Sequence, residues 1–205
     1  MTRVAVLTKE KILKTSFEIV NEFGIDKVTI RSIANRLNTS TAPIYTQYRT
    51  MTELKNDLKN FVNSSLMLYL KKDYTSNSFL NIGIGLLTFA YTNKKIFQTY
   101  YLTQNSLATF IEDNFSVFIN YMKKDILLSL LDEKRLESLI DDMWIYTFGL
   151  ATIICTNKEI LSLDEYIAKL NLTGEKLIKY HLFSSGNIEN CISLIQQSLH
   201  TCPSK

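Results

Sequence analysis

The chain has 205 residues, 46% of them hydrophobic, with 11 Tyr and 11 Phe, and this much apolar material excludes wholesale disorder. Six Gly and two Pro are too few breakers for a sandwich or barrel with a turn about every ten residues, so the expected class is all-α. The net charge of +3 is unevenly spread: residues 1–55 carry nine Lys and Arg against five Asp and Glu, while 56–205 carry fourteen against fifteen. That basic start suits phosphate contacts, although solvated helix faces carry similar runs.

At the N-terminus no apolar run of signal-peptide length precedes Lys9-Glu10-Lys11, and the longest nearly uninterrupted apolar stretch, 82–91, falls short of the roughly 18–20 residues that span a bilayer. The expectation is a cytoplasmic protein without a membrane partner. Cys155, Cys191 and Cys202 are odd in number and widely spaced, as suits reduced thiols better than disulfides or a zinc site, so no metal or other cofactor is expected.

A first helix is expected over 8–23, where Ile12, Ser16, Ile19, Val20 and Phe23 recur at helical spacing and Gly24 is a ready stop. Thr29 is placed as the cap of a short second helix with Ile30, Ile33, Ala34 and Leu37 inside, and Asn38 ends it. A third short helix starts near Ser40, tolerates Pro43 in its first turn and closes around Tyr48. Thr50 and Glu53 have capping-box spacing and open a long fourth helix through Leu54, Leu58, Phe61, Val62 and Leu66 toward Leu70. Further helices are expected over 77–92, 94–103, 105–131, 133–156, 163–181 and 187–200, with breaks at 72–78, 156–163 and 184–187.

Two short helices packed steeply against each other need a small residue in the first, a left-handed residue at the turn and a buried aliphatic in the second. Ala34, Asn38 and Ile44 meet these demands in order, and Asn tolerates positive φ where Gly is commoner. The signature extends beyond that spacing. ILKTSFEIVNEFG followed by VTIRSIANRLNTSTAPIYTQYRTMTEL resembles the N-terminal block of the TetR/AcrR family of transcription regulators over about 45 residues. FAYTNKKIF and WIYTFGLATII resemble its later helices more loosely. Met51 departs from the family's usual Lys at the start of the fourth helix, and Ala42-Pro43 from its commoner small residues and Gly.

The resemblance implies an N-terminal three-helix helix-turn-helix domain, 1–55, and a helical effector-binding and dimerisation domain, 56–205, with nine to ten helices in all. The implied activity is a pseudo-palindromic DNA operator bound by a homodimer, with repression released by a small molecule. In that geometry Thr41, Ala42, Pro43, Thr46 and Gln47 are base-proximal, and Thr29, Arg31, Ser40, Tyr45, Tyr48, Arg49 and Lys55 suit phosphates. Tyr48 reads first as a core plug and second as a DNA contact. Arg36 reads as an ordinary solvated residue. The dimer surface is expected on the helix around 144–154 and on the last helix, with intramolecular core as the other reading. A mostly apolar effector would be lined from Leu66, Tyr69, Phe89, Phe97, Tyr100, Tyr101, Phe110, Phe118, Tyr121, Met122, Trp144 and Phe148, all equally readable as core.

An enzyme is the main rival class, and no P-loop, G-x-S-x-G, H-E-x-x-H or dinucleotide glycine pattern supports it. His181 and His200 fall near expected helix ends, where a cation suits the dipole. Asp141 and Asp142 diverge by about 100° on a helix and suit a solvated face better than a dyad. A ligand-independent DNA-binding protein controlled by a protein partner shares every N-terminal feature; it should show a filled core and an exposed apolar patch.

Overall fold

A computed structural model describes residues 7–103, 106–156 and 161–184, and all regular structure in them is helical. Nine α-helices occur among the described residues. The N-terminal unit comprises α1 (Lys9–Phe23), α2 (Ile30–Arg36) and α3 (Ala42–Gln47), and α4 (Met51–Leu70) leads out of it. A single-turn 3₁₀ segment, Ile25–Lys27, joins α1 to α2.

Local chemistry sets these boundaries. The Thr8 hydroxyl accepts the Lys11 amide to open α1, and Gly24, at φ +92°, closes it by donating its amide N–H to the Val20 carbonyl. The expected stripe holds at Ile12, Ser16, Ile19 and Val20, but Phe23 lies on the solvent side. Thr29 and Ser32 form a reciprocal capping box on α2. Asn38, at φ +51°, is the only non-glycine residue with positive φ among the described residues. The left-handed turn therefore stands where the sequence places it.

The third helix begins later than expected, because Thr41, not Ser40, holds its cap position, with no side-chain hydrogen bond. In α4 the Thr50 hydroxyl accepts the Glu53 amide, but the Glu53 carboxylate reaches one residue past the expected cap to the Arg49 amide. The buried stripe of α4, Leu54, Leu58, Val62, Leu66 and Leu70, carries one apolar side chain per turn from the small unit into the large one.

In the larger unit α5 (Ser78–Thr92) is central, packed on α4, α8 (Glu133–Thr156) and α9 (Leu163–Phe183). From Phe79 to Leu87 every α5 residue is buried, including Asn81, whose side-chain amide is satisfied by the Thr75 backbone and hydroxyl. Bare glycines make this close packing possible. A Cβ on Gly85 would stand 2.3 Å from the Tyr69 carbonyl oxygen, so the backbones of α4 and α5 touch there. A Cβ on Gly174 of α9 would stand 2.4 Å from Leu80 Cδ2.

Two expected helices are revised. The segment 94–103 is α-helical only over α6 (Lys94–Phe97) and then widens into a π turn, Gln98–Thr103. The helix expected over 105–131 is α7 (Ser106–Met122); the chain then turns, and a 3₁₀ segment follows at Leu128–Leu130. Asp125 causes this break, because its carboxylate accepts the amides of Leu127 and Leu128 and starts a new turn. Ser162 and Glu165 open α9 with a reciprocal capping box. By length and composition α8 could cross a membrane, yet here its apolar face is packed on α5 and α9. The helix expected over 187–200, with Cys191, Cys202 and His200, lies outside the described residues.

Candidate nucleic-acid interface

The third helix turns one side chain inward: Ile44 is fully buried, while Thr41, Ala42, Tyr45 and Thr46 are exposed and Pro43 and Gln47 half-exposed. Tyr45 stands 54% exposed on this face. The Thr46 hydroxyl donates to the Ala42 carbonyl. Ser40, Arg49 and Lys55 are exposed around this helix, and Thr29 and Arg31 are exposed at the start of α2.

Tyr48 does not join that surface. It is 0% exposed, so of its two sequence readings the structure takes the core plug, and this position is corrected from the set of DNA contacts. Burial pushes its phenol well above the ordinary tyrosine range, and the Asp57 and Glu53 carboxylates push the same way. The Lys9 ammonium sits 4.6 Å from the ring centroid and 3.4–3.5 Å from carboxylate oxygens of Glu53 and Asp57. One cation of α1 thereby fastens the end of α3 to the first turns of α4.

Arg36 is likewise more than a solvated charge. Its guanidinium forks onto the Glu22 carboxylate and approaches Glu18 at 3.7 Å, tying α2 to α1. That hydrogen bond holds the Glu22 carboxyl below its ordinary range. The sequence contains this pair but gives no sign of it, since 14 positions separate its members.

In the larger unit the twelve residues read as effector-lining divide. Tyr69, Phe89, Phe97, Tyr101, Phe110 and Phe148 pack on one another, with ring centroids 5.3–6.4 Å apart. Leu66, Tyr100 and Met122 are buried, and Tyr121 is half-buried with its hydroxyl donating to Asp73. Burial pushes the Tyr100 phenol up to about 12. Phe118 and Trp144 do line a cavity, about 30 Å³ in size, together with Phe79, Ile82, Gly83, Ile140, Met143 and Thr147. Sequence reading missed those last six. Ile140, Met143 and Thr147 share a helical face with Trp144 and could have been found by spacing; Phe79 and Ile82 sit in a stretch apolar on every side and could not.

The lining is almost wholly apolar, and the Thr147 hydroxyl is committed to the Met143 carbonyl. Cys155 is buried, and burial pushes its thiol up to about 12. Asp142 stands on an exposed face as read, and its Oδ2 also meets Nε2 of buried His181 at 3.0 Å, while Arg135 donates to the His181 and Ser184 carbonyls at the end of α9. No group of three His, Cys, Asp or Glu side chains placed to hold a metal occurs among the described residues.

Two solved structures share this helix arrangement. One is a putative TetR-family transcriptional regulator from Rhodococcus sp., with TM-score 0.60 and 13% identity. The other is a transcriptional regulator (TerR/AcrR family) from Aquifex aeolicus VF5, with TM-score 0.59 and 22% identity. Each match covers 83% of this chain and 98% of the other. The fold is that of the TetR-type regulators. No protein-family model and no curated protein sequence matches the chain.

Proposed function

We propose that the chain is a cytoplasmic, sequence-specific DNA-binding transcriptional regulator that reads a pseudo-palindromic operator as a homodimer. The observation that carries this reading is α3 itself: one buried anchor, Ile44, a left-handed turn at Asn38 before it, and an exposed face of Thr41, Ala42, Pro43, Tyr45, Thr46 and Gln47. A helix held this shallowly presents nearly its whole outer surface to a groove. None of those side chains is Arg or Asn, so thymine methyl contacts and DNA shape carry much of the specificity, with Gln47 the one amide able to read adenine. Thr29, Arg31, Ser40, Tyr45, Arg49 and Lys55 take the phosphates.

The unit 1–55 does the reading, and 56–205 supplies the mate and the control, the division falling inside α4. Exposed Ile145 and Ile153 on α8, with Gly149 between them, and Leu172 on α9 suit a two-fold contact of helices. Release of a repressed operator by a mostly apolar effector is the favoured mode of control. A cavity of about 30 Å³ holds little more than one or two waters, so such an effector would have to push α5, α7 and α8 apart, changing the angle of α4. The filled core also supports a second reading, control by a protein partner without an effector.

The test is footprinting selection on genomic fragments across a salt series, with Tyr45→Ala alongside. A protected pseudo-palindrome, affinity falling steeply with salt and loss in the variant are expected. Weak protection without preferred sites, unchanged in Tyr45→Ala, would overturn the regulator reading.

A further inference from the structure

The π turn Gln98–Thr103 sends two side-chain hydrogen bonds to different helices. The Gln98 amide donates to the Cys155 carbonyl in the last turn of α8, at 2.6 Å. The Tyr101 hydroxyl donates to Asn63 Oδ1 on α4, at 3.0 Å. The Tyr101 ring is buried against Phe97, Phe89 and Phe110, so its direction is fixed by packing. Just upstream, the α5–α6 junction docks on the N-terminal unit: the Asn21 amide donates to the Thr92 carbonyl and to Asn93 Oδ1, and the Lys95 ammonium donates to the Glu22 carbonyl.

Apart from the Lys9 pairs with Glu53 and Asp57 at its first turns, the contacts that hold α4 are mainly apolar, one leucine or valine per turn, and apolar contact is non-directional. A hydrogen bond at the middle of the helix is directional and fixes its rotation and tilt. Wide turns of this kind are rare and concentrate at functional positions, since rewinding one residue's worth of backbone turns its side chains to new neighbours.

We propose that Tyr101 and Asn63 are positioning residues for DNA recognition, their hydroxyl–amide bond setting the angle at which α4 presents α3. The inference rests on the regulator reading for its DNA readout, but not for its structural one.

The experiment compares Tyr101→Phe, Asn63→Ala, the double variant and Asn63→Asp, all in the full chain. The first readout is amide hydrogen exchange and the second is affinity for an operator obtained by selection. Exchange should quicken in α3 and in 51–60 for Tyr101→Phe and for Asn63→Ala while amides of α8 and α9 keep their rates. Affinity should fall by about 5- to 20-fold in each, the size of ordinary coupling between sites, with the double variant no worse than the weaker single. Asn63→Asp keeps an acceptor for the hydroxyl and should behave as the parent. Unchanged exchange in Tyr101→Phe, or a uniform rise throughout the chain, would overturn the proposal, as would strictly additive losses in the double variant. A chain that binds no selected DNA would defeat the regulator reading alone, and the exchange pattern would still decide this one.

Discussion

The N-terminal unit and the larger unit are built from the same kind of helix but are stabilised at different places. In the first, α2 and α3 bury few side chains, and order comes from their ends: the Thr29–Ser32 box, the left-handed Asn38, the Thr50 cap and the Lys9 clasp over Tyr48. In the second, α5 is buried nearly all round and order comes from its flanks, where Gly85 meets the α4 backbone and Gly174 meets Leu80. Short helices with polar neighbours rely on caps because they have little face to bury; a central helix relies on shape because every side has a neighbour.

This contrast can be broken most forcefully in the larger unit. Phe89→Ala removes a fully buried ring that touches Tyr69 and Tyr101 and should cost about 3–5 kcal/mol in a denaturant melt, lowering the stability of both units together. Ile44→Ala should cost about 2–5 kcal/mol but act on α1 to α3 first. Hydrogen exchange that rises everywhere in Ile44→Ala would show that the units do not differ in cooperativity. Gly85→Ala should cost about 1–3 kcal/mol in the same melt by forcing α4 and α5 apart.

At the caps the effects are smaller. Thr50→Ala should lower stability by about 1 kcal/mol, while Asn38→Gly, which keeps the left-handed turn, should be close to neutral in the same melt. Smallest is an acid effect. Because Arg36 lowers the folded-state pKa of Glu22, the pair's contribution is present above the ordinary glutamate range and is lost as pH falls through the lowered value. Glu22→Gln should therefore be less stable than the parent at neutral pH and approach it below about pH 4, the range where an unperturbed glutamate protonates. An offset that persists unchanged at low pH would remove the ion pair from the account.

How far the sequence was legible follows the same division. Caps and turns are written in single residues at fixed offsets, so Thr29, Asn38, Ile44 and Thr50 could be placed before any coordinates. Tyr48 could be placed only as an alternative, because a Tyr three residues beyond another has no mark saying which faces inward. In the larger unit the helices were legible as elements but not in detail. Asp125 broke the expected 105–131 helix through a side-chain bond that many mid-helix Asp residues do not make, and no pattern announces the π turn. The aromatic residues read as lining were mostly packed on one another, since composition says how much ring is present and not where the gap between rings falls.

The meeting of Gly85 with the Tyr69 carbonyl gives the molecule a mechanical advantage. With that contact as fulcrum, the fifteen residues of α4 back to Leu54 form an arm roughly 22 Å long at about 1.5 Å per residue. A tilt of about 5° would carry its far end by roughly 2 Å; in the proposed two-fold dimer the two arms would together change their separation by about 4 Å, slightly more than the 3.4 Å rise of one base pair. Under the proposed effector control, a cavity that admits only a small wedge would suffice, because the leverage of α4 would turn a slight parting of α4 from α5 into a misfit of a whole base-pair step.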